Sequence, residues 1–322
     1  MIPNSWFQDA RLRIQPYTEK TPLTHDPSLD IYLKWENRQV SGSFKIRGAI
    51  NKVLSMQQWE YKPGLVTSSA GNHGLGVAIA GKIVKTPVTV FVSSHAVESK
   101  IIKLKKMNAS VQYVAGSYGE VEKRAIQYAL ENEIAWISPY NDGQVIAGQG
   151  TIALEILEEN PSLRETTWVV PVGGGGLVSG ISTVLKETTK QFLLPSNQNK
   201  LIPKVIAVQS TASAYMHSYF HSGNQYQCKE TDSIADGLAG AIEERSITFP
   251  LVTKYVDNVI LVSEDEIVES IKYAWSNYQE VLEGSAAVSL AAILSGRIIE
   301  RPAVLIMSGG NIQPQTHAQI IG

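Results

Sequence analysis

Three stretches of the sequence set glycines beside residues that bind or move charge: Ser68-Ser69-Ala70-Gly71-Asn72-His73-Gly74, Gly173-Gly174-Gly175-Gly176 and Ser308-Gly309-Gly310-Asn311. Four consecutive glycines let a backbone turn tightly and aim several N–H groups at one point. At a helix N-terminus such a nest binds phosphate without a lysine. Each glycine adds to the entropy lost on folding, so a merely flexible turn is a poor use of four in a row. No Gly-Lys-Ser/Thr follows, which sets the run apart from a P-loop, and no acidic residue ends the next strand as a dinucleotide site requires. The remaining chemical feature is Lys45, in Val40-Ser41-Gly42-Ser43-Phe44-Lys45-Ile46-Arg47-Gly48-Ala49, at the opening of an amphipathic helix. A cation there lies at the wrong end of the helix dipole, so its amine is easier to deprotonate. That suits a nucleophile forming a Schiff base with a carbonyl. Taken alone, such a lysine is more often a solvated surface residue.

The elements that must position these residues follow from periodicity. Short β-branched runs alternate with segments of helical period, the pattern of an α/β chain with mostly parallel sheets flanked by helices. Strands are predicted at Ile31–Trp35, Gly64–Thr67, Val88–Val92, Ser110–Val114, Trp168–Val172, Val205–Gln209 and Ala303–Met307. Helices are predicted at Phe44–Met56, Gly74–Ile83, Glu98–Met107, Tyr118–Glu131, Val145–Glu159, Leu177–Thr188, Glu264–Glu280 and Ser285–Leu294. Each glycine-rich loop directly follows a strand. Ligands of open parallel sheets bind beyond the carboxyl ends of strands, so the three loops are expected to line one site.

A length of 322 residues suits one large α/β unit or two lobes with a cleft between them. Hydrophobic residues at 43% and charged ones at 18% supply a core and give no sign of disorder. The 28 basic and 30 acidic residues are dispersed, so nothing draws the chain to nucleic acid or an anionic membrane, and a small-molecule partner is expected. Cys228 is the single cysteine, in a polar stretch that suits neither a disulfide nor a catalytic thiol. A reducing compartment, the cytoplasm by default, is the expectation. No apolar run is long enough to span a bilayer, and residues 1–16 do not read as a signal peptide. His217 and His221 share a face if Met216–Phe220 is helical, but without a third ligand a solvated face is expected and no metal is assigned. Lys100, Lys103, Lys105 and Lys106 are read as a wet helix face too, since no aromatic ladder accompanies them.

Ser43-Phe44-Lys45-Ile46-Arg47-Gly48-Ala49, Ser69-Ala70-Gly71-Asn72-His73-Gly74, Val145-Ile146-Ala147-Gly148-Gln149-Gly150-Thr151, Pro171-Val172-Gly173-Gly174-Gly175-Gly176 and Ser308-Gly309-Gly310-Asn311 occur in this order. Together they resemble the fold-type II pyridoxal phosphate family, in its threonine dehydratase and serine racemase branch, over nearly the whole chain from Thr21 to Asn311. The resemblance implies a two-lobed α/β architecture: residues 1–46 and 138–322 form a large lobe, 47–137 a small one, with pyridoxal 5′-phosphate in the cleft. It implies that Lys45 carries the cofactor as a Schiff base and then acts as base on the α-proton. Asn72 would bond the 3′-hydroxyl, Gly173, Gly174, Gly175 and Gly176 with Leu177 the phosphate, and Ser308 the pyridine nitrogen. Phe44 and Glu283 would lie by the cofactor. Ser69, Ala70, Gly71, Asn72 and His73 would clamp the substrate carboxylate through backbone N–H groups, with Gly237 near the substrate side chain. Relatives also imply a homodimer.

A serine facing the pyridine nitrogen, unlike an aspartate, does not keep that nitrogen protonated. The ring is then a weaker electron sink, which favours β-elimination over transamination. The leaving hydroxide needs a proton, for which the cofactor phosphate is a candidate acid, and the released enamine hydrolyses to a 2-oxo acid and ammonia. In the racemases that resemble this chain a serine at the position of Ala70 serves as second acid/base, and alanine has no proton to transfer. Those racemases also hold a divalent metal through carboxylates where Gln209 and Tyr215 stand here, so no divalent site is expected, while a monovalent ion on carbonyls stays open. The expectation is dehydration of L-threonine or L-serine. The alternatives are a racemase, a dehydratase of 3-hydroxyaspartate or 3-phenylserine, and, from another class, a non-catalytic binder on an inherited scaffold. Synthase chemistry fits less well, because those relatives carry threonine at the position of His73. Glu283-Gly284-Ser285-Ala286-Ala287 also matches the family, although Ser285 reads equally as a helix N-cap. No feedback domain is expected beyond Asn311.

Overall fold

The computed structural model describes residues 2–192 and 202–322. Helix α1 (Asn4–Ile14) turns Phe7, Ala10 and Ile14 inward and precedes an antiparallel pair, β1 (Leu23–Asp26) and β2 (Ile31–Trp35). Helix α2 (Lys45–Ser55) and the short α3 (Gln58–Tyr61) lead to β3 (Leu65–Ser68), α4 (Asn72–Val84) and β4 (Val88–Ser93). There follow α5 (Glu98–Lys106), β5 (Ser110–Val114), α6 (Tyr118–Glu131) and β6 (Ala135–Trp136). The chain continues through α7 (Gly143–Glu159), β7 (Thr167–Pro171), α8 (Gly176–Phe192), β8 (Lys204–Ser210) and α9 (Tyr215–Ser222). It closes with α10 (Thr248–Tyr255), β9 (Asn258–Val262), α11 (Glu264–Tyr278), α12 (Gly284–Leu294), β10 (Ala303–Met307) and α13 (Pro314–Ile321).

Two sheets result. One has the order β1-β2-β10-β7-β8-β9, parallel except at β1, and the other is the parallel set β5-β4-β3-β6. Every residue of β7 and β10 is buried, the unbroken apolar run expected of central parallel strands with helices on both faces. One face of the larger sheet packs Trp168, Val170, Val304 and Ile306 against α1, α7, α8 and α10. The other packs Val169, Val208 and Leu305 against α11 and α12. The smaller sheet has its own core, with Leu65, Val88 and Val90 under α2, α4 and α5, and Val66 and Phe91 under α6. Among the described residues no helix is long and apolar enough to cross a membrane.

The seven predicted strands form with ends moved by at most one residue. Helix α4, however, starts at Asn72 rather than Gly74, which puts Asn72 and His73 in its first turn. Periodicity missed α1, β1, α3, β6, α9, α10, β9 and α13. Strand β1 is a short, polar, half-exposed edge, and α10 carries Pro250, which the first turn tolerates because its N–H has no intrahelical partner there.

Helix α2 sits where the two cores meet. It crosses α7 so closely that a Cβ on Gly148 would lie 2.6 Å from the Arg47 carbonyl oxygen and from the Gly48 Cα. A buried ionic network pins the same end. Arg47 donates to Glu36 (2.8 and 2.9 Å) and to Glu155 (2.6 and 2.9 Å), while Lys34 donates to Glu155 (2.8 Å) and to the Thr21 carbonyl (2.6 Å). Two positive and two negative groups balance there, which is how buried charge is tolerated.

Candidate active site

The carboxyl ends of β3, β7 and β10 open into one cavity of about 390 Å³, a volume typical of small-molecule sites. Lys45, the first residue of α2, projects into it. Its Nζ donates to the Pro139 carbonyl at 2.9 Å and lies 5.2 Å from the centre of the Phe44 ring. Burial lowers the Lys45 ammonium to about 8, against the opposing pull of the Glu283 carboxylate. Desolvation, rather than the helix dipole that the sequence suggested, accounts for its ready deprotonation.

Two groups of unclaimed amides flank this amine. Gly173, Gly174, Gly175 and Gly176 join β7 to α8 with Gly175 at φ +90°, and among the described residues no acceptor takes their N–H groups. They and Leu177 line the cavity. At β3, Ser69, Ala70, Gly71, Asn72 and His73 line it as well. There Gly71 N–H bonds the Ser69 hydroxyl at 3.3 Å, while the N–H groups of Ala70, Asn72 and His73 stay open at the N-terminus of α4. Each set can hold an anion. A free amine between two anion cradles is the donor set needed by a phosphorylated aldehyde together with an amino acid.

Gly174 is held tight from behind, since a Cβ there would stand 2.5 Å from the Tyr140 ring. Gly174→Ala must therefore turn the loop. We expect it to lose at least one charge-assisted bond worth about 1.5–3 kcal/mol, roughly tenfold to a hundredfold in phosphate-ligand affinity. Equilibrium dialysis of pyridoxal phosphate against the variant checks this.

The floor is built from β10 and α12. Ser308 is buried, its carbonyl accepts from Phe44 N–H at 3.0 Å, and Ser43 bridges to Gly309, so the β10 loop and the segment before Lys45 move as one. Glu283 stands at the N-cap of α12 without capping it. Its carboxylate instead accepts from Asn72 Nδ2 at 2.7 Å, while Asn72 Oδ1 accepts from Asn311 Nδ2 at 2.7 Å. Burial and the Asp236 charge push Glu283 up to about 7, against the Asn72 bond. Gly237 N–H donates to Ser285 Oγ at 3.0 Å, so Ser285 lies inside α12 and holds the 236–240 turn instead of serving as N-cap.

His73 is buried, with Nε2 donating to the Ile137 carbonyl at 3.0 Å. Burial and the Lys45 charge drive its imidazolium down to about 3, despite that carbonyl, so the ring is neutral at working pH.

Two readings of the sequence change. Lys100 and Lys103 on α5 are not simply a wet face: both line the cavity, with Lys100 ion-paired to Asp236 and Lys103 donating to Asn311 Oδ1 at 3.2 Å. His217 and His221 do fall on one helix, α9, but His221 Nε2 bonds the Val259 carbonyl at 2.9 Å, so that ring is not merely solvated. Gln209 turns its Oε1 to the His217 N–H at 3.1 Å. Sequence reasoning missed Tyr118, Pro139, Tyr140 and Ile242 in the wall. Pro139 and Tyr140 follow a two-residue strand, too short to leave a period, and no glycine marks them.

With this geometry in place, comparison with known proteins is specific. The family described as pyridoxal-phosphate dependent enzyme matches residues 14–309. The chain is 35% identical to the L-threonine ammonia-lyase of Thermotoga maritima, over all of this chain and 78% of that protein. It is also 35% identical to the catabolic L-threonine dehydratase of Escherichia coli, over 91% of this chain and 86% of that one. Among solved structures, maize serine racemase superimposes with a TM-score of 0.88 at 30% identity, over 98% of this chain and 95% of the other.

Proposed function

The chain belongs to the pyridoxal-phosphate dependent enzyme family, and on that premise we propose that it dehydrates and deaminates L-threonine or L-serine to a 2-oxo acid and ammonia. The observation that carries the reading is the Lys45 amine, freed by burial and set between two amide cradles, with Ala70 standing in the carboxylate cradle. When bound, pyridoxal phosphate supplies an electron-accepting ring that acidifies the Cα–H of an attached amino acid. Lys45 takes that proton, because a base whose conjugate acid sits near 8 is partly free at neutral pH. The N–H groups of Ser69 to His73 hold the substrate carboxylate at the start of α4, and Gly237 borders the substrate side chain. Asn72 keeps one amide hydrogen beyond its bond to Glu283, and we assign that hydrogen to the ring hydroxyl. Gly173 to Gly176 with Leu177 are assigned to the phosphate, Ser308 to the ring nitrogen, and Phe44 and Glu283 to the flanks of the ring.

The same proposal takes residues 1–46 and 138–322 as the large lobe and 47–137 as the small lobe that closes on the substrate carboxylate. A cytoplasmic homodimer completes it, supported by the single cysteine and by the family resemblance. The likeness to maize serine racemase favours racemisation as a second reading. Ala70 argues against it, since only one group at the Cα can then exchange a proton. For an acidic substrate such as 3-hydroxyaspartate, the Lys100 ammonium is already paired with Asp236, while the Lys103 ammonium, bonded only to the neutral Asn311 amide, keeps its charge.

A panel of β-hydroxy amino acids assayed for 2-oxo acid and for chirality tests these readings. Oxo-acid release from L-threonine or L-serine without D-serine is the expected result, and no release from a cofactor-loaded protein sinks the proposal. Ala70→Ser should raise D-serine formation above that of the unaltered protein by about a hundredfold or more, since a single positioned acid/base group contributes roughly 10²–10⁴-fold.

A further inference from the structure

Glu122, on α6, is 5% exposed, yet among the described residues its carboxyl makes no hydrogen bond or ion pair, and its Oε1 is a buried atom without a partner. Glu243, in the loop that follows the 236–240 turn, lies near enough for its charge to act on Glu122. Its Oε2 accepts from Asn141 Nδ2 at 2.8 Å, but its Oε1 is again buried and unpartnered. The two carboxyls belong to opposite sides of the cleft, for α6 covers the smaller sheet while the Glu243 loop packs with Tyr140 on the larger side. Their neighbours Val121 and Ile242 both line the cavity, and the Tyr118 ring lies 3.5 Å from the position of a Cβ on Gly240. Tyr140, whose ring backs the glycine loop, accepts the Glu243 N–H on its hydroxyl at 3.0 Å.

An ionised carboxylate without donors is expensive to bury, and a second carboxylate alongside makes it worse. Protonation of Glu122 removes the repulsion and most of the cost of burial, leaving the smaller cost of a neutral carboxyl without a partner. We propose that Glu122 and Glu243 form a proton-operated clasp across the cleft, closed when Glu122 carries a proton and pressed open when both carboxyls are ionised.

Among the described residues no cation is ion-paired to either carboxyl. Of the strands packed against α6, β3, β4 and β6 carry no titratable side chain and β5 offers only the exposed Tyr113. On α6 itself, Lys123 and Arg124 point to solvent, Arg124 pairing with Glu131 at 3.3 Å. The remaining groups near the pair are the Tyr118 and Tyr140 phenols, both pushed upward by burial and then by Glu122, so they stay neutral. Burial first, and Glu243 second, raise Glu122 from 4.5 to about 7. Opening exposes it and returns it toward 4.5. The closed form therefore holds the extra proton, and the drive to open grows as pH rises from about 4.5 to about 7 and levels off above.

Hydrogen exchange of the holoenzyme, compared with Glu122→Gln at matched pH, isolates this effect because intrinsic exchange rates cancel. At about pH 4 the two proteins should protect α6 and residues 239–247 almost alike, whereas at about pH 7.5 the unaltered protein should exchange there faster by roughly tenfold to a few hundredfold. Glu243→Gln removes the repulsion but not the cost of burial, so it should shrink the difference between the two pH values without abolishing it. The same ratio of exchange rates at both pH values, or a Glu243→Gln profile identical to that of the unaltered protein, overturns the clasp. Neither readout uses turnover, so failure of the dehydratase reading leaves this test standing.

Discussion

Lys45→Ala should abolish turnover, lowering 2-oxo acid release by about 10⁴-fold or more, because one side chain serves as both covalent anchor and base. Borohydride reduction of the unaltered holoenzyme should label Lys45 and leave the variant unlabelled, as peptide mass analysis reads directly. A label on another lysine in the unaltered protein refutes the assignment. The same amine predicts a pH profile for cofactor capture. Buried to a value of about 8, it is roughly one-tenth free at pH 7, whereas a lysine at its ordinary 10.5 is under a thousandth free. Capture of pyridoxal phosphate by the apoenzyme should accelerate with pH up to about 8 and then flatten. Continued acceleration toward pH 10 means that Lys45 is solvated and the cavity geometry wrong.

Arg47→Met should be the most damaging change away from the cavity. Arg47 is fully buried and holds both Glu36 and Glu155, so its loss leaves two carboxylates facing Lys34 alone. Breaking a buried pair from one side costs about 3–5 kcal/mol, a large part of the stability of a typical domain. Denaturant unfolding measures it. Adding Glu155→Gln to Arg47→Met should recover part of the loss, since one positive then faces one negative, and a double variant no better than the single one contradicts the charge argument. Lysine is not an adequate replacement for Arg47, because a single ammonium cannot match two carboxylates with a planar fork. The network also has a pH signature. Burial alone would raise Glu155, but the Arg47 and Lys34 charges outweigh it and hold the carboxyl below 4.5. Its contribution is therefore present above the ordinary carboxylate range and fades as pH falls through that lowered value. Because Arg47 lies two residues beyond Lys45, loosening this end of α2 should also loosen the amine.

The clasp and the amine would act in different directions with pH. Alkaline conditions free Lys45 for reaction, while the ionisation of Glu122, half complete at about 7 in the closed form, favours an open cleft. An enzyme built this way favours a closed cleft on the acid side and has its base most available on the alkaline side, so the two limbs should be separable in Glu122→Gln.

Lys45, the tetraglycine run and the Ser69 to His73 and Ser308 to Asn311 loops were legible in the amino-acid sequence because their chemistry is local. Glycine backbone freedom, a strand end and a helix start are set by near neighbours in the chain. The runs Trp168–Val172 and Ala303–Met307 were legible as strands for the same reason. Only the tertiary structure decided that Glu283 abandons its cap for Asn72, that Lys100 and Lys103 turn inward to Asp236 and Asn311, and that Tyr140 backs the glycine loop. Only it brought Glu122 near Glu243, 121 positions along the chain, and buried one carboxyl oxygen of each without a donor. Burial and charge proximity arise from which distant segments pack together, and those two quantities govern proton affinity, so the ionisation states at this site are properties of the fold rather than of any motif.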